Sequence, residues 1–327
     1  MKKLFFITTA LVTLGGITAV AADVSISGNS RFRYHAWSDD QADTGDANNS
    51  AFANVLQLWV KADMKADSGL DYGVHVRLGH GSATLDRNYI YLQDDWGKVQ
   101  LGKTLNPYYT MSLGADWRGT GVGMISAGGA PWKGDTKAIT GSGGGFEQNT
   151  KIVYETPNIS GLKVGIGYAD AGGASKGDST TMAINYSVDI SDNAGLRFGY
   201  GRSSTAKTGS DPKQTDTEFG IEYSAGDFLL SAIRLEDKDG NDKGTATEFE
   251  VAYDATDELV LNLIQFNSKI DKGTHDGDKY KSTQIGAAYT VAPGMTVGVA
   301  HLRFDGDAKT GTDSDGNFTR VQFRVNF

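Results

Sequence analysis

The sequence predicts an all-β fold: a transmembrane antiparallel β-barrel of 16 strands with a long, inward-folded third loop. Three observations lead there. Segments of about ten residues alternate apolar with polar side chains, and Gly/Asp/Asn/Ser clusters separate them. The connections between those segments alternate short with long. No apolar run after residue 22 is long enough for a spanning helix, and the mean hydropathy is only −0.35. A barrel strand keeps that average low because it shows lipid only every second residue.

The opening MKKLFFITTALVTLGGITAVAA has a basic start, a short apolar run and small residues at its end. That is the pattern of a secretory signal peptide over 1–22, and it leaves 23–327 as a single barrel domain. Removing those 22 residues leaves 29 basic against 40 acidic side chains, a net charge of −11. Such a balance argues against nucleic acid as a partner. The chain has no cysteine, so an exported protein of this size rests on packing and hydrogen bonding rather than disulfides.

The strand segments follow in order. In 24–37, Val24, Ile26, Phe32 and Tyr34 share one parity and Arg31, Arg33 and His35 the other. After the polar loop 38–50, segment 51–65 contributes Lys61 to the polar face. ADSG (66–69) leads into 70–81, where Leu70, Tyr72, Val74, Val76 and Leu78 form one stripe and His75 and Arg77 face oppositely. Segments 86–95 and 97–104 follow across the turn at 95–96. The next connection, 105–148, is the longest and is rich in glycine. A barrel of this size is too wide for its side chains to fill, and a loop folded inward would narrow it.

Segments 149–157 and 162–170 meet at NISG (158–161), followed by 179–190, with Met182, Ile184, Tyr186 and Val188, and by 195–204. STAKTGSDPKQ (204–214) is a long loop. In 215–225, Phe219, Ile221 and Tyr223 oppose Glu218 and Glu222. Segment 227–237 and a polar loop over 238–245 lead to 245–255, where Phe249, Val251 and Tyr253 oppose Glu248 and Glu250. Then come 258–269, 280–291, 295–305 and 317–327. The last places Val321, Phe323, Val325 and Phe327 on one face and Arg320 and Arg324 on the other, and ends without a polar tail. An unpaired apolar edge is an aggregation hazard, and pairing with 24–37 removes it. Tyrosines at the stripe ends (Tyr154, Tyr168, Tyr186, Tyr223, Tyr253, Tyr289) suit a headgroup girdle.

Assigning the polar parity to the lumen separates the charges. Arg31, Arg33, His35, Lys61, Arg77, Arg320 and Arg324 come from the first three strands and the last, and Glu218, Glu222, Glu248 and Glu250 from the tenth and twelfth. In a ring of 16 these walls oppose each other, and a transverse field would act on solutes in the neck. Neutralising Arg31, Arg33 and Arg77 would then shift selectivity toward cations. The alternative is that these charges only solvate the wall. No cofactor is expected; the acidic runs 237–244 and 305–317 leave room for a structural calcium ion, though without the spacing of a helical calcium loop. The five histidines (His35, His75, His80, His275, His301) are dispersed, and there is no nucleophile elbow, zinc-protease motif, phosphate loop or thiol. An enzyme is not expected. A solute-selective channel, or a structural or adhesive barrel, remains the alternative.

GKVQLGK (97–103), YETPNISGLKVGIGY (154–168) and the terminal Phe327 resemble the 16-stranded trimeric general porins of Gram-negative bacteria. The resemblance covers the mature chain. It implies passive diffusion of small hydrophilic solutes and ions through the outer membrane, a homotrimer, a surround of outer-membrane lipid and lipopolysaccharide, and Phe327 as an assembly signal. It also implies that 105–148 is the constriction loop. In the family that loop is typically acidic, whereas here Asp116, Asp135 and Glu147 stand against Arg118, Lys133 and Lys137. Lys103, the basic residue before the loop, joins the lumen wall only if a bulge turns it inward, because it shares parity with Val99 and Leu101.

Overall fold

The computed structural model describes residues 22–39, 50–79, 84–113, 150–170, 176–207 and 213–327. The expected signal segment up to residue 21, and residues 114–148 of the expected constriction loop, lie outside the described residues. The strands are β1 (Asp23–Asp39), β2 (Ser50–Lys65), β3 (Asp71–Gly79), β4 (Thr84–Asp94), β5 (Gly97–Lys103), β6 (Thr150–Glu155), β7 (Leu162–Ala169) and β8 (Lys176–Ser191). They continue as β9 (Ala194–Lys207), β10 (Gln214–Ala225), β11 (Phe228–Asp239), β12 (Asp242–Asp254), β13 (Leu259–Lys272), β14 (Lys279–Ala292), β15 (Met295–Asp307) and β16 (Ser314–Asn326). A short helix, α1 (Pro107–Thr110), lies between β5 and β6. Each strand pairs antiparallel with its chain neighbours, and β1 with β16, so the barrel is closed.

The period-two pattern sorts side chains to opposite faces. Ile26, Phe32, Phe52, Ile90, Ile152, Phe219, Phe249, Ile285 and Phe323 are exposed on the outside, while Lys151, Asn185, Asn262, Gln284 and Gln322 are buried on the inside. That arrangement would be inverted for a soluble protein and is right for one whose outer wall meets lipid. At the rim carrying the short turns, Phe228 stacks on Tyr253 with centroids 4.6 Å apart, and Tyr154 donates to the Trp96 carbonyl at 2.7 Å. Such amphipathic rings mark the lipid–water boundary.

Toward the other rim, polarity inverts on β11–β16. The inner face there carries Ile233, Leu235, Phe266, Ile270, Tyr280, Leu302, Phe304 and Phe318, all buried. Their outward neighbours include Arg234, Lys269, Lys281, His301 and Arg303. A lipid span needs about 9–11 residues of strand, and β11–β16 each have 12–14. The surplus stands above the lipid, where water wets the outside and apolar side chains turn in. For the same reason the polar stretch 238–245 is not the long loop that its composition predicts. β11 and β12 run out of the membrane together and reverse over Gly240 and Asn241.

The end of the chain is paired. Phe327 N donates to the Gly28 carbonyl at 3.0 Å, and Gly28 N to the Phe327 carbonyl at 2.7 Å. Deleting Phe327 removes both bonds at the seam between first and last strands, a loss of about 1–3 kcal/mol. The expected outcome is a smaller fraction of heat-modifiable, folded barrel on semi-native gels after refolding; an unchanged fraction would show that the seam closes without it.

Candidate functional site

The lumen face of β1 and β16 is built from guanidinium groups in register. Arg31 lies opposite Arg324, Arg33 opposite Gln322 and His35 opposite Arg320. Neutral groups orient them. Arg31 Nε donates to Asn29 Oδ1 (2.9 Å), Arg33 Nε to Gln322 Oε1 (2.7 Å), Arg324 Nε to Asn326 Oδ1 (2.8 Å) and Arg320 Nε to His35 Nε2 (3.1 Å). Among the described residues none of Arg31, Arg33 and Arg324 has a carboxylate partner, and all three are only half-buried. Their charge is available to the channel.

The basic wall continues over β2–β4. Lys61 and Arg77 face inward, and a register shift at Arg77/Leu78 makes Asp86 an extra residue, so that Asp86 and Arg87 both turn toward the lumen. Bulges re-aim side chains in this way. Arg77 forms a salt bridge with Asp86, whose side chains are 11% and 3% exposed. The indole of Trp59 lies between Lys61, Arg77 and Arg87. Next along the wall, His75 Nε2 is 2.7 Å from Asp63 Oδ1 and His75 Nδ1 3.2 Å from the Tyr89 hydroxyl, while the Tyr91 hydroxyl donates to Asp63 Oδ1 at 2.7 Å.

The opposite wall behaves differently. Glu218, Glu222, Glu248 and Glu250 are on the inner face but only 3–8% exposed, so they do not line open water. Glu222 pairs with Arg197 at 3.2 Å. Glu218 accepts from Ser112 Oγ at 2.7 Å and from Leu113 N at 3.1 Å, holding the segment that follows β5 to the wall. In that segment Pro107 starts α1, and Asn106 caps it by accepting from Tyr109 N at 3.0 Å. Asn185 Nδ2 donates to the Met111 carbonyl at 3.2 Å.

Glycines on β7, β9 and β10 leave the space into which this segment packs. A methyl group at Gly165 would stand 2.5 Å from Pro107, one at Gly199 2.7 Å from Leu113, and one at Gly201 2.9 Å from Tyr108. Burial, and then the carboxylates of Glu218, Asp216 and Asp237, push the Tyr108 hydroxyl above its ordinary pKa, so it adds no charge to the pore.

Other sequence expectations fall elsewhere. Lys103 is not on the lumen wall: its pairing with Asn88 and Thr150 is regular, it keeps the outward parity of Leu101, and its Nζ donates to the Leu85 carbonyl at 2.7 Å. The bulge of this wall is at Asp86, not at Lys103. Asp116, Arg118, Lys133, Asp135 and Glu147 lie outside the described residues. In the acidic loops, carboxylates cap backbone groups: Asp242 Oδ1 accepts from Thr274 N at 2.7 Å and Asp278 Oδ1 from Lys309 N at 2.9 Å. Among the described residues no three acidic or histidine side chains gather to hold a metal.

Sequence reasoning missed Trp59, Asp86, Arg87 and Arg197. Arg87 shares parity with Tyr89 and Tyr91, both buried on the inner face, and that parity was its signal. Asp86 has the outward parity of Ile90, and only the bulge brings it in.

The comparisons with known proteins agree with this geometry. The model of the Gram-negative porin family matches residues 8–313. No curated protein matches by sequence. Similar solved structures include a loop-deletion mutant of OmpT, an outer membrane protein of Vibrio cholerae, at TM-score 0.68 and 15% identity, covering 94% of this chain and 100% of that one. An anion-selective porin from Comamonas acidovorans is similar at TM-score 0.64 and 16% identity, with 94% and 100% covered. A trimer form of the Vibrio OmpT is similar at TM-score 0.67 and 14% identity, with 94% and 99% covered. Family match, closed barrel and charged lumen agree: the chain belongs to the Gram-negative porin family, and forms a channel in the bacterial outer membrane for passive diffusion of small hydrophilic solutes and ions.

Proposed function

We propose that this channel favours anions and anionic solutes over cations, and that it works as a homotrimer. The observation that carries the preference is the contrast between the walls. Arg31, Arg33 and Arg324 are half-buried and have no carboxylate partner among the described residues, whereas the four glutamates opposite are buried. A lumen lined by unneutralised cations raises the local concentration of anions and lowers that of cations. The similar porin from Comamonas acidovorans is anion-selective and the similar Vibrio protein has a trimer form, which supports both parts of the reading.

The transport involves no chemistry in this reading; His75 is bonded to Asp63 and Tyr89 rather than to a serine hydroxyl. Residues 1–22 serve as the export signal. Outward-facing Lys243, Lys269, Lys279 and Lys281, above the apolar band, suit lipopolysaccharide phosphates. Tracer uptake into liposomes tests the preference: a sugar acid should enter faster than a neutral sugar of matching size, and equal or slower entry would overturn it.

A further inference from the structure

Trp59 carries no charge, yet it stands where three cations meet. It lies on the inner face of β2, directly opposite Arg77 on β3, which is itself opposite Arg87 on β4. Lys61 Nζ is 5.6 Å from the centre of the indole, Arg77 Cζ 5.5 Å and Arg87 Cζ 5.6 Å. His75 meets the same ring edge-on at 6.4 Å. Two arginines directly opposite each other on adjacent strands repel, and a third cation adds to the repulsion.

Carboxylates orient these groups only in part. Asp86 forms a salt bridge with Arg77 and also lies near Arg87, yet neither Arg77 Nε nor Arg87 Nε has a hydrogen-bond partner among the described residues. By contrast, each arginine of β1 and β16 is oriented by a hydrogen bond from its Nε. The negative faces of an indole attract cations within about 6 Å of the ring centre, and all three groups lie inside that distance. An apolar side chain of the same bulk would fill the space but supply no such attraction.

We propose that Trp59 is a positioning residue for charge selectivity: its ring holds Lys61, Arg77 and Arg87 together on the lumen wall and so extends the arginine row of β1 and β16 on to β2–β4. This rests on the reading that the basic wall sets the selectivity. The role differs from that of the arginines, because removing Trp59 changes selectivity without changing the charge of the protein.

The test is the reversal potential of Trp59→Leu and Trp59→Phe in planar bilayers under a potassium chloride gradient, each compared with the unmodified protein. Trp59→Leu should lower the anion-to-cation permeability ratio by about two-fold, and Trp59→Phe, which keeps an aromatic face, should retain most of the original ratio. Should Trp59→Leu fail to give a folded barrel, Trp59→Met removes the ring while keeping a long, adaptable apolar chain. No shift in the ring-less variant, or an equal shift in the phenylalanine variant, would overturn the proposal. The sign of the unmodified protein's own potential judges the anion preference separately, because the comparison among variants holds whichever sign that is.

Discussion

Replacing Arg31, Arg33 and Arg324 together by glutamine moves the reversal potential toward the cation side and lowers the anion-to-cation permeability ratio about five-fold in 0.1 M salt. The magnitude follows from Coulomb's law. A unit charge about 7 Å from a permeating ion in water is worth about 0.6 kcal/mol, or roughly a factor of three, and three such charges act together. Screening reduces the product, since the Debye length is about 10 Å at 0.1 M and about 3 Å at 1 M. The effect therefore shrinks steeply in concentrated salt, and planar-bilayer recordings at both concentrations check it. A ratio unchanged at low salt would mean that these arginines only solvate the wall.

The structure changes the choice of residues for that experiment. Arg77 is on the lumen face as the sequence predicts, but it is paired with Asp86 and both side chains are nearly buried. Removing it takes the guanidinium of this salt bridge away from a buried carboxylate, which is destabilising, and a loss of folding would obscure any change in selectivity. Arg324 is free of that difficulty.

Valine at both Gly199 and Gly201 lowers single-channel conductance and increases open-channel noise. The two glycines leave room for Leu113 and Tyr108, and an added methyl would stand 2.7 Å from the first and 2.9 Å from the second. Both side chains are almost fully buried against the barrel wall. Forcing bulk into that space costs about 1–3 kcal/mol and moves the segment after β5 away from the wall, toward the pore. Its bond between Leu113 N and Glu218 then lengthens or breaks. Conductance and noise equal to the original would show that this segment does not bear on the open pore.

Much of the barrel was legible because lipid imposes one rule on the outer face. Stripes such as Val24–Ile26–Phe32–Tyr34 and Phe249–Val251–Tyr253 have no other reason to alternate with Arg31, Arg33, Glu248 and Glu250. The register of β1 on β16, and with it the arginine row, follows once the last strand must close the ring. What parity alone does not carry is position along the strand. Whether Ile233 faces lipid or lumen depends on where β11 leaves the membrane, and parity reads the same on both sides of that boundary. Nor does parity give burial: Glu218 has the lumen parity expected of it, and its use as an anchor for Ser112 and Leu113 depends on residues 106 and 105 positions away in sequence. Asp86 and Lys103 illustrate the third limit. One extra residue turns Asp86 in, and no register shift brings Lys103 to the lumen wall.

The reversal potential of the unmodified protein in planar bilayers, under a ten-fold gradient of potassium chloride at low total salt, shows which wall controls the channel. Arg31, Arg33 and Arg324, without a carboxylate partner among the described residues, and the buried glutamates on the other wall predict a potential of the anion-selective sign, which diminishes as salt is raised. A cation-selective sign at low salt would contradict it, and would place the controlling charge on carboxylates rather than on Arg31, Arg33 and Arg324.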